Sequence, residues 1–94
     1  MKARLLLSER RVIGEGRFAD LVIWQLPRRL PGSRHAFKYR LAFVVDEECV
    51  VRFDNESGKG DHKHVGARQV PYDFQSLTQL VADFWNEIDT WRPS

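Results

Sequence analysis

The sequence predicts an α+β fold, an antiparallel sheet of four or five strands packed by one C-terminal helix. Two patterns carry that expectation. Residues 36–54 alternate in the manner of two facing strands, and the apolar residues from Phe74 to Trp91 follow helical spacing. The length of 94 residues fits a single domain spanning residues 1–94, with no room for a second core. A domain of this size buries somewhat over ~60% of its unfolded surface, enough to stand without a staple.

Residues 3–13 hold a β-leaning apolar run, and Gly14-Glu15-Gly16 supplies a turn. Arg17 to Leu26 is rich in Phe, Val, Ile and Trp, and Pro27 ends it, so the two stretches read as a first hairpin. Pro27 to His35 is a loop carrying Arg28, Arg29 and Arg34. The second hairpin joins residues 36–45 to residues 49–54. Opposed residues in a hairpin point to the same face, so its apolar sets must match. A three-residue connection, Asp46-Glu47-Glu48, sets Phe43 against Val51, Leu41 against Phe53 and Arg40 against Asp54, with Arg52 beside Ala42. A two-residue turn mixes the faces. Cys49 then alternates with Val51 and Phe53 as a buried structural thiol.

Residues 56–66 contain three glycines and read as an irregular loop, with a short strand following at Arg68 to Tyr72. Ser76 with Gln79 forms a capping box that opens the final helix, and Arg92-Pro93 closes it. Phe43, Val51, Phe53, Leu77, Leu80, Val81 and Phe84 are expected in one core. Asp83 and Glu87, one turn apart, read as the helix's wet face, and Trp24, Trp85 and Trp91 as core or interface aromatics.

The single cysteine excludes an internal disulfide, so nothing points to an oxidising compartment. The apolar run Leu5-Leu6-Leu7 falls short of the ~7 residues of a signal peptide and the ~20 of a membrane span. A cytoplasmic location with no membrane partner is expected. Net charge is only +2, but it is uneven. Residues 1–64 hold thirteen of the fifteen Lys and Arg against nine acids, whereas residues 65–94 hold two against four. A basic body with an acidic tail suits an anionic ligand on one side and a different contact on the other.

The chemistry concentrates in Arg52 to His64. His62 and His64 stand two residues apart beyond Gly58-Lys59-Gly60, and in extended backbone such side chains point the same way. Three readings remain open. In the first, His62 and His64 act as base and acid on RNA, with Lys59 and Asp54 beside them and Lys38, Arg40, Arg52, Asn55, Gly58 and Gly60 on the phosphate and RNA. In the second, His62, His64 and Asp54 or Asp61 bind a metal, although an H-x-H pair is a weak signal. In the third, the Gly58-Lys59-Gly60 backbone and Lys59 hold a phosphate without chemistry; the P-loop spacing is absent. His35 has no evident partner and reads as solvated.

The run Phe37-Lys38-Tyr39-Arg40-Leu41-Ala42-Phe43-Val44-Val45, with Arg52-Phe53-Asp54-Asn55 and Gly58-Lys59-Gly60-Asp61-His62-Lys63-His64, resembles the TumE family, small toxins of bacterial toxin–antitoxin pairs. The resemblance continues through Pro71-Tyr72, Phe74 and Leu80 to Trp85, and back to Gly16 to Trp24, so it covers nearly the whole chain as one TumE-like domain. It implies a toxin neutralised by a helix-turn-helix antitoxin encoded beside it, and it is compatible with a homodimer. A metal-independent ribonuclease acting on mRNA is the reading by analogy with other small toxins. A non-enzymatic protein blocking a nucleic-acid or protein target is the alternative. No cofactor or metal is expected. The matched positions are Asp54, Asn55, Gly58, Lys59, Gly60, His62 and His64, while Asp61 falls at a position the family does not fix.

Overall fold

A computed structural model describes residues 2–56 and 58–93. Its elements are β1 (Arg4–Gly14), β2 (Arg17–Gln25), β3 (Phe37–Val45), β4 (Glu48–Glu56), β5 (Gly60–Val65), β6 (Arg68–Pro71) and α1 (Leu77–Thr90). The strands form one antiparallel meander in the order β1-β2-β3-β4-β5-β6. Six strands replace the four or five expected. The addition is β5, in a stretch expected to be irregular. Its inner positions, Asp61 and Lys63, are polar, so no apolar alternation marks it as a strand.

The β3–β4 register carries the expected pairs: Phe43 with Val51, Leu41 with Phe53, Ala42 with Arg52 and Arg40 with Asp54. The connection that produces them differs. Only Asp46 and Glu47 lie between the strands, both with positive φ (50° and 71°), as a two-residue primed turn requires. That turn pairs Val45 with Glu48 and Val44 with Cys49, and the register then shifts. Val50 is the extra residue of a β-bulge, and it restores the parity that a three-residue connection would have provided. Its carbonyl accepts the Gly66 N–H at 2.9 Å. Between turn and bulge the faces are exchanged, so Cys49 is exposed rather than buried.

One sheet face is apolar. Ala19, Leu21, Ile23, Tyr39, Leu41, Phe43, Val51 and Phe53 are buried there with Leu80 and Phe84 of α1. Leu77 and Val81 pack against this core while remaining half-exposed. The Ser76 hydroxyl caps α1 by accepting the Gln79 N–H at 3.0 Å. The return half of the expected box is replaced, because the Gln79 amide donates to Asp83 at 2.7 Å. Asp83 also accepts the Tyr72 hydroxyl at 2.5 Å, and Glu87 pairs with Lys63 of β5 at 3.1 Å. These two acids therefore tie the helix to the sheet, correcting the wet-face expectation. On the other flank Arg11 lies over the Trp85 ring and Arg17 over Trp91. The strand ends are electrically distinct. Arg28, Arg29 and Arg34 occupy the β2–β3 loop, while Glu15, Asp46 and Glu47 stand in the turns at the opposite end, where Glu48 begins β4.

The Asp46-Glu47 turn holds two L-residues in the left-handed region, where each is strained by roughly 1–2 kcal/mol. Glycine relieves that strain but gives back part of it as unfolded-state entropy. Glu47→Gly is therefore expected to raise the unfolding free energy by roughly 0.5–1 kcal/mol. Urea denaturation measures it, and an unchanged or lowered midpoint contradicts the turn assignment.

Candidate functional site

The face opposite α1 carries no covering element, and the strand registers decide what stands on it. Val22 pairs with Arg40, Arg40 with Asp54 and Asp54 with His62, so one row crosses four strands. The next row runs Asp20, Ala42, Arg52 and His64. Trp24 opposes Lys38 on the other side of the first row. Directly paired residues share a face, so Lys38, Arg40, Arg52, Asp54, His62 and His64 belong to one surface.

Within it the hydrogen bonds define tautomers. His62 Nδ1 lies 3.1 Å from the Gly60 carbonyl. A carbonyl only accepts, so Nδ1 carries the proton and the Nε2 lone pair of the neutral ring remains available. Arg52 Nη2 stands 3.0 Å from His64 Nε2. A guanidinium only donates, so His64 accepts there and its neutral ring holds its proton on Nδ1. Asp54 Oδ1 is 4.0 Å from the same His64 nitrogen, and Asp54 Oδ2 is 3.2 Å from Arg52 Nε. That last contact is ionic without hydrogen-bond alignment, leaving Arg52 Nε a buried donor with no partner among the described residues. The cross-strand neighbour Arg40 does not pair with Asp54 and projects into solvent. An open depression of about 440 Å³ adjoins this cluster, lined in part by Val22, Trp24, Lys38, Arg40 and Arg52.

The remaining sequence candidates lie elsewhere. Lys59 is on the β4–β5 turn, 70% exposed, with its ammonium 3.4 Å from Glu56. The backbone N–H of Gly58 donates to Pro31 at 2.7 Å and that of Lys59 to Glu56 at 3.1 Å. Gly58 and Gly60 have φ of +81° and +76°, which the turn needs. Asn55 is 1% exposed on the helix-covered side. Its amide donates to the Phe37 carbonyl at 2.7 Å and accepts the Tyr39 N–H at 3.0 Å, extending the β3–β4 ladder with a side chain. The Lys38 ammonium donates to the Asn55 carbonyl. Among the described residues no group of three His, Cys, Asp or Glu side chains is placed to hold a metal ion. No described helix is long and apolar enough to cross a membrane.

His35, expected to be solvated, is only 10% exposed at its side chain. Its ring lies 4.0 Å from that of Phe74. Nδ1 accepts the Phe37 N–H at 3.1 Å, so Nε2 donates to Asp61 at 2.8 Å. Asp61 also accepts the Tyr39 hydroxyl at 2.6 Å. Both His35 nitrogens are thus committed, and the cluster clamps the β2–β3 loop to β5. Burial, and then the bond to Asp61, hold the Tyr39 phenol well above the usual tyrosine range. Tyr72 is raised in the same way by burial and its bond to Asp83. The sequence signal that could have placed Asp61 was its alternation with His62 and His64 in a strand, which leaves it on the opposite face with Lys63, facing inward.

Residues 2–92 match the family model described as Toxin TumE. No curated protein and no solved structure gives a match.

Asn55→Ala strands two buried backbone groups at about 1–3 kcal/mol each, so a loss of roughly 2–4 kcal/mol in unfolding free energy is expected. A thermal melt indistinguishable from that of the parent chain rules out the ladder role. The tyrosines add a pH signature. Their folded pKa values are raised, so the stability they contribute is complete below the unfolded value near 10 and declines as pH rises beyond it. Tyr39→Phe removes its share of that alkaline slope, which denaturation between about pH 8 and 11 measures; an unchanged slope contradicts the raised Tyr39 phenol.

Proposed function

The chain belongs to the TumE family of toxins, and we propose that it exerts toxicity by cleaving RNA on the helix-free face of its sheet. The observation that carries this reading is the placement of His62 and His64 on one surface with Asp54, Arg52, Arg40 and Lys38. Cleavage without a metal needs a base for the 2′-hydroxyl, an acid for the leaving oxygen and cations for the phosphate. His62 suits the base, since the Gly60 carbonyl fixes its tautomer and Nε2 is unoccupied. It takes the 2′ proton as O2′ attacks phosphorus. The bond from phosphorus to O5′ breaks, and His64 in its imidazolium form donates a proton to that oxygen. The products are a 2′,3′-cyclic phosphate and a 5′-hydroxyl. Protonated His64 can no longer accept from Arg52 and finds Asp54 as its counter-charge. That exchange frees the Arg52 guanidinium for the phosphate, and Arg40, exposed beside it, tracks the backbone.

As a toxin, the chain implies an antitoxin partner. We propose a helix-turn-helix protein encoded beside it that covers this basic face. A non-enzymatic toxin that blocks a nucleic-acid or protein target is the competing reading; on either reading the Gly58 and Lys59 N–H groups are committed to the fold rather than to a phosphate.

Expression in cells with RNA 5′-end sequencing tests the proposal. His62→Ala and His64→Ala are each expected to slow cleavage of purified RNA by ~10²–10⁴-fold and to relieve growth arrest while antitoxin capture persists. The parent's activity should survive EDTA, since no metal takes part in the proposed step. Growth arrest undiminished in the double variant at matched expression gives the case to the blocking reading.

A further inference from the structure

The depression beside the histidines has an apolar wall that the acid–base reading leaves unused. Trp24 ends β2 on the helix-free face and is 37% exposed, a large aromatic left open to solvent. Val22, two residues earlier, continues that wall. Cations line the rest: Lys38 stands directly opposite Trp24, and Arg40 opposite Val22. The two acids at the rim are already engaged, Asp54 by Arg52 and Glu56 by Lys59. The volume of about 440 Å³ lies within the range of small-molecule sites. Lys38 donates to the Asn55 carbonyl, but among the described residues neither it nor Arg40 has a carboxylate partner. An indole bordered by such positive charge is the combination that holds a base by its π-face and its phosphate by charge.

We propose that Trp24 is the floor of a subsite for one unpaired nucleotide, making single-stranded RNA the substrate class of this face. The inference rests on the RNA reading of the same surface and specifies it. In a duplex both π-faces of a base are covered by its neighbours, so an indole can reach only a base that has left the stack. Trp24 and His62 are three strands apart, roughly 15 Å by strand spacing and rise, so the stacked nucleotide is not the one cleaved. Trp24 is accordingly a binding residue, whose loss weakens capture and leaves the chemical step in place. The Arg28, Arg29 and Arg34 loop follows β2 directly and extends the positive track beyond Trp24.

The test uses the full chain and a short labelled single-stranded oligonucleotide, 2′-O-methylated throughout so that it cannot be cleaved, against a duplex of the same sequence. Fluorescence anisotropy is expected to show tighter binding of the single strand. Trp24→Ala should weaken it by roughly five- to a hundredfold, and Trp24→Phe should restore most of the loss. Arg40→Ala serves as the contrast, weakening single strand and duplex alike and lowering the salt slope by about one. Circular dichroism confirms that each variant is folded. Single-strand affinity untouched in Trp24→Ala, or equal affinity of the parent for duplex, overturns the subsite while the RNA reading stands. Absence of any RNA binding by a parent chain that still arrests growth overturns both.

Discussion

The single extra residue at Val50 decides which chemistry this sheet can display. A two-residue turn alone pairs β3 and β4 in one parity, and the bulge converts it to the other. With it, Val51 and Phe53 enter the core and Arg52 and Asp54 stand outside. Without it, two charges would replace two apolar side chains beneath α1, a cost of several kcal/mol per unpaired ion. The consequence travels one strand further. β5 pairs with β4 beyond the bulge, so the positions of His62 and His64 opposite Asp54 and Arg52 are inherited from it. Carbonyl acceptance of the Gly66 N–H fastens the bulge at the mouth of the β5–β6 turn.

A meander with one helix necessarily leaves one face bare, and this chain divides its residues accordingly. The covered side holds aromatic edge contacts, Phe53 against Phe84 and Tyr72, and Phe43 against Trp91. Polar groups that fall there are all paired: Asn55 with backbone, Asp61 with His35 and Tyr39, Lys63 with Glu87. The bare side tolerates incomplete pairing, visible in the unbonded Arg52 Nε. Groups whose hydrogen bonds are unfinished sit where a ligand could finish them, and the finished ones hold the scaffold.

What depends on pattern is legible in the chain residue by residue, and what depends on parity or on distant neighbours is not. The β3–β4 partners were legible because apolar sets must match across a hairpin. The bulge was not, because an odd loop and an even turn with a bulge give the same far register. Cys49 was misplaced for that reason alone. β5 looked like a loop because its inner face carries Asp61 and Lys63, whose partners come from elsewhere in sequence. His35 looked solvated because Asp61 lies 26 residues away. Strand periodicity groups Arg40, Arg52 and Asp54, and spacing makes His62 and His64 a pair, but their place opposite Asp54 and Arg52 depends on β5. The exclusion of Lys59 and Asn55 from that group was not legible, because turn geometry and a side chain inserted into a ladder leave no local signature.

The separation of charge between the two strand ends has a mechanical side. Three arginines in the loop at one end, against Glu15, Asp46, Glu47 and Glu48 with Arg17 at the other, polarise the sheet along its strands even though net charge is only +2. A small net charge gives weak attraction at a distance, but a dipole in an electric field feels a torque. In the field of a polyanion that torque favours approach with the arginine loop foremost and the acidic end trailing. Orientation is therefore selected in solution, within about a Debye length of ~8 Å at physiological salt, and fades as salt is added.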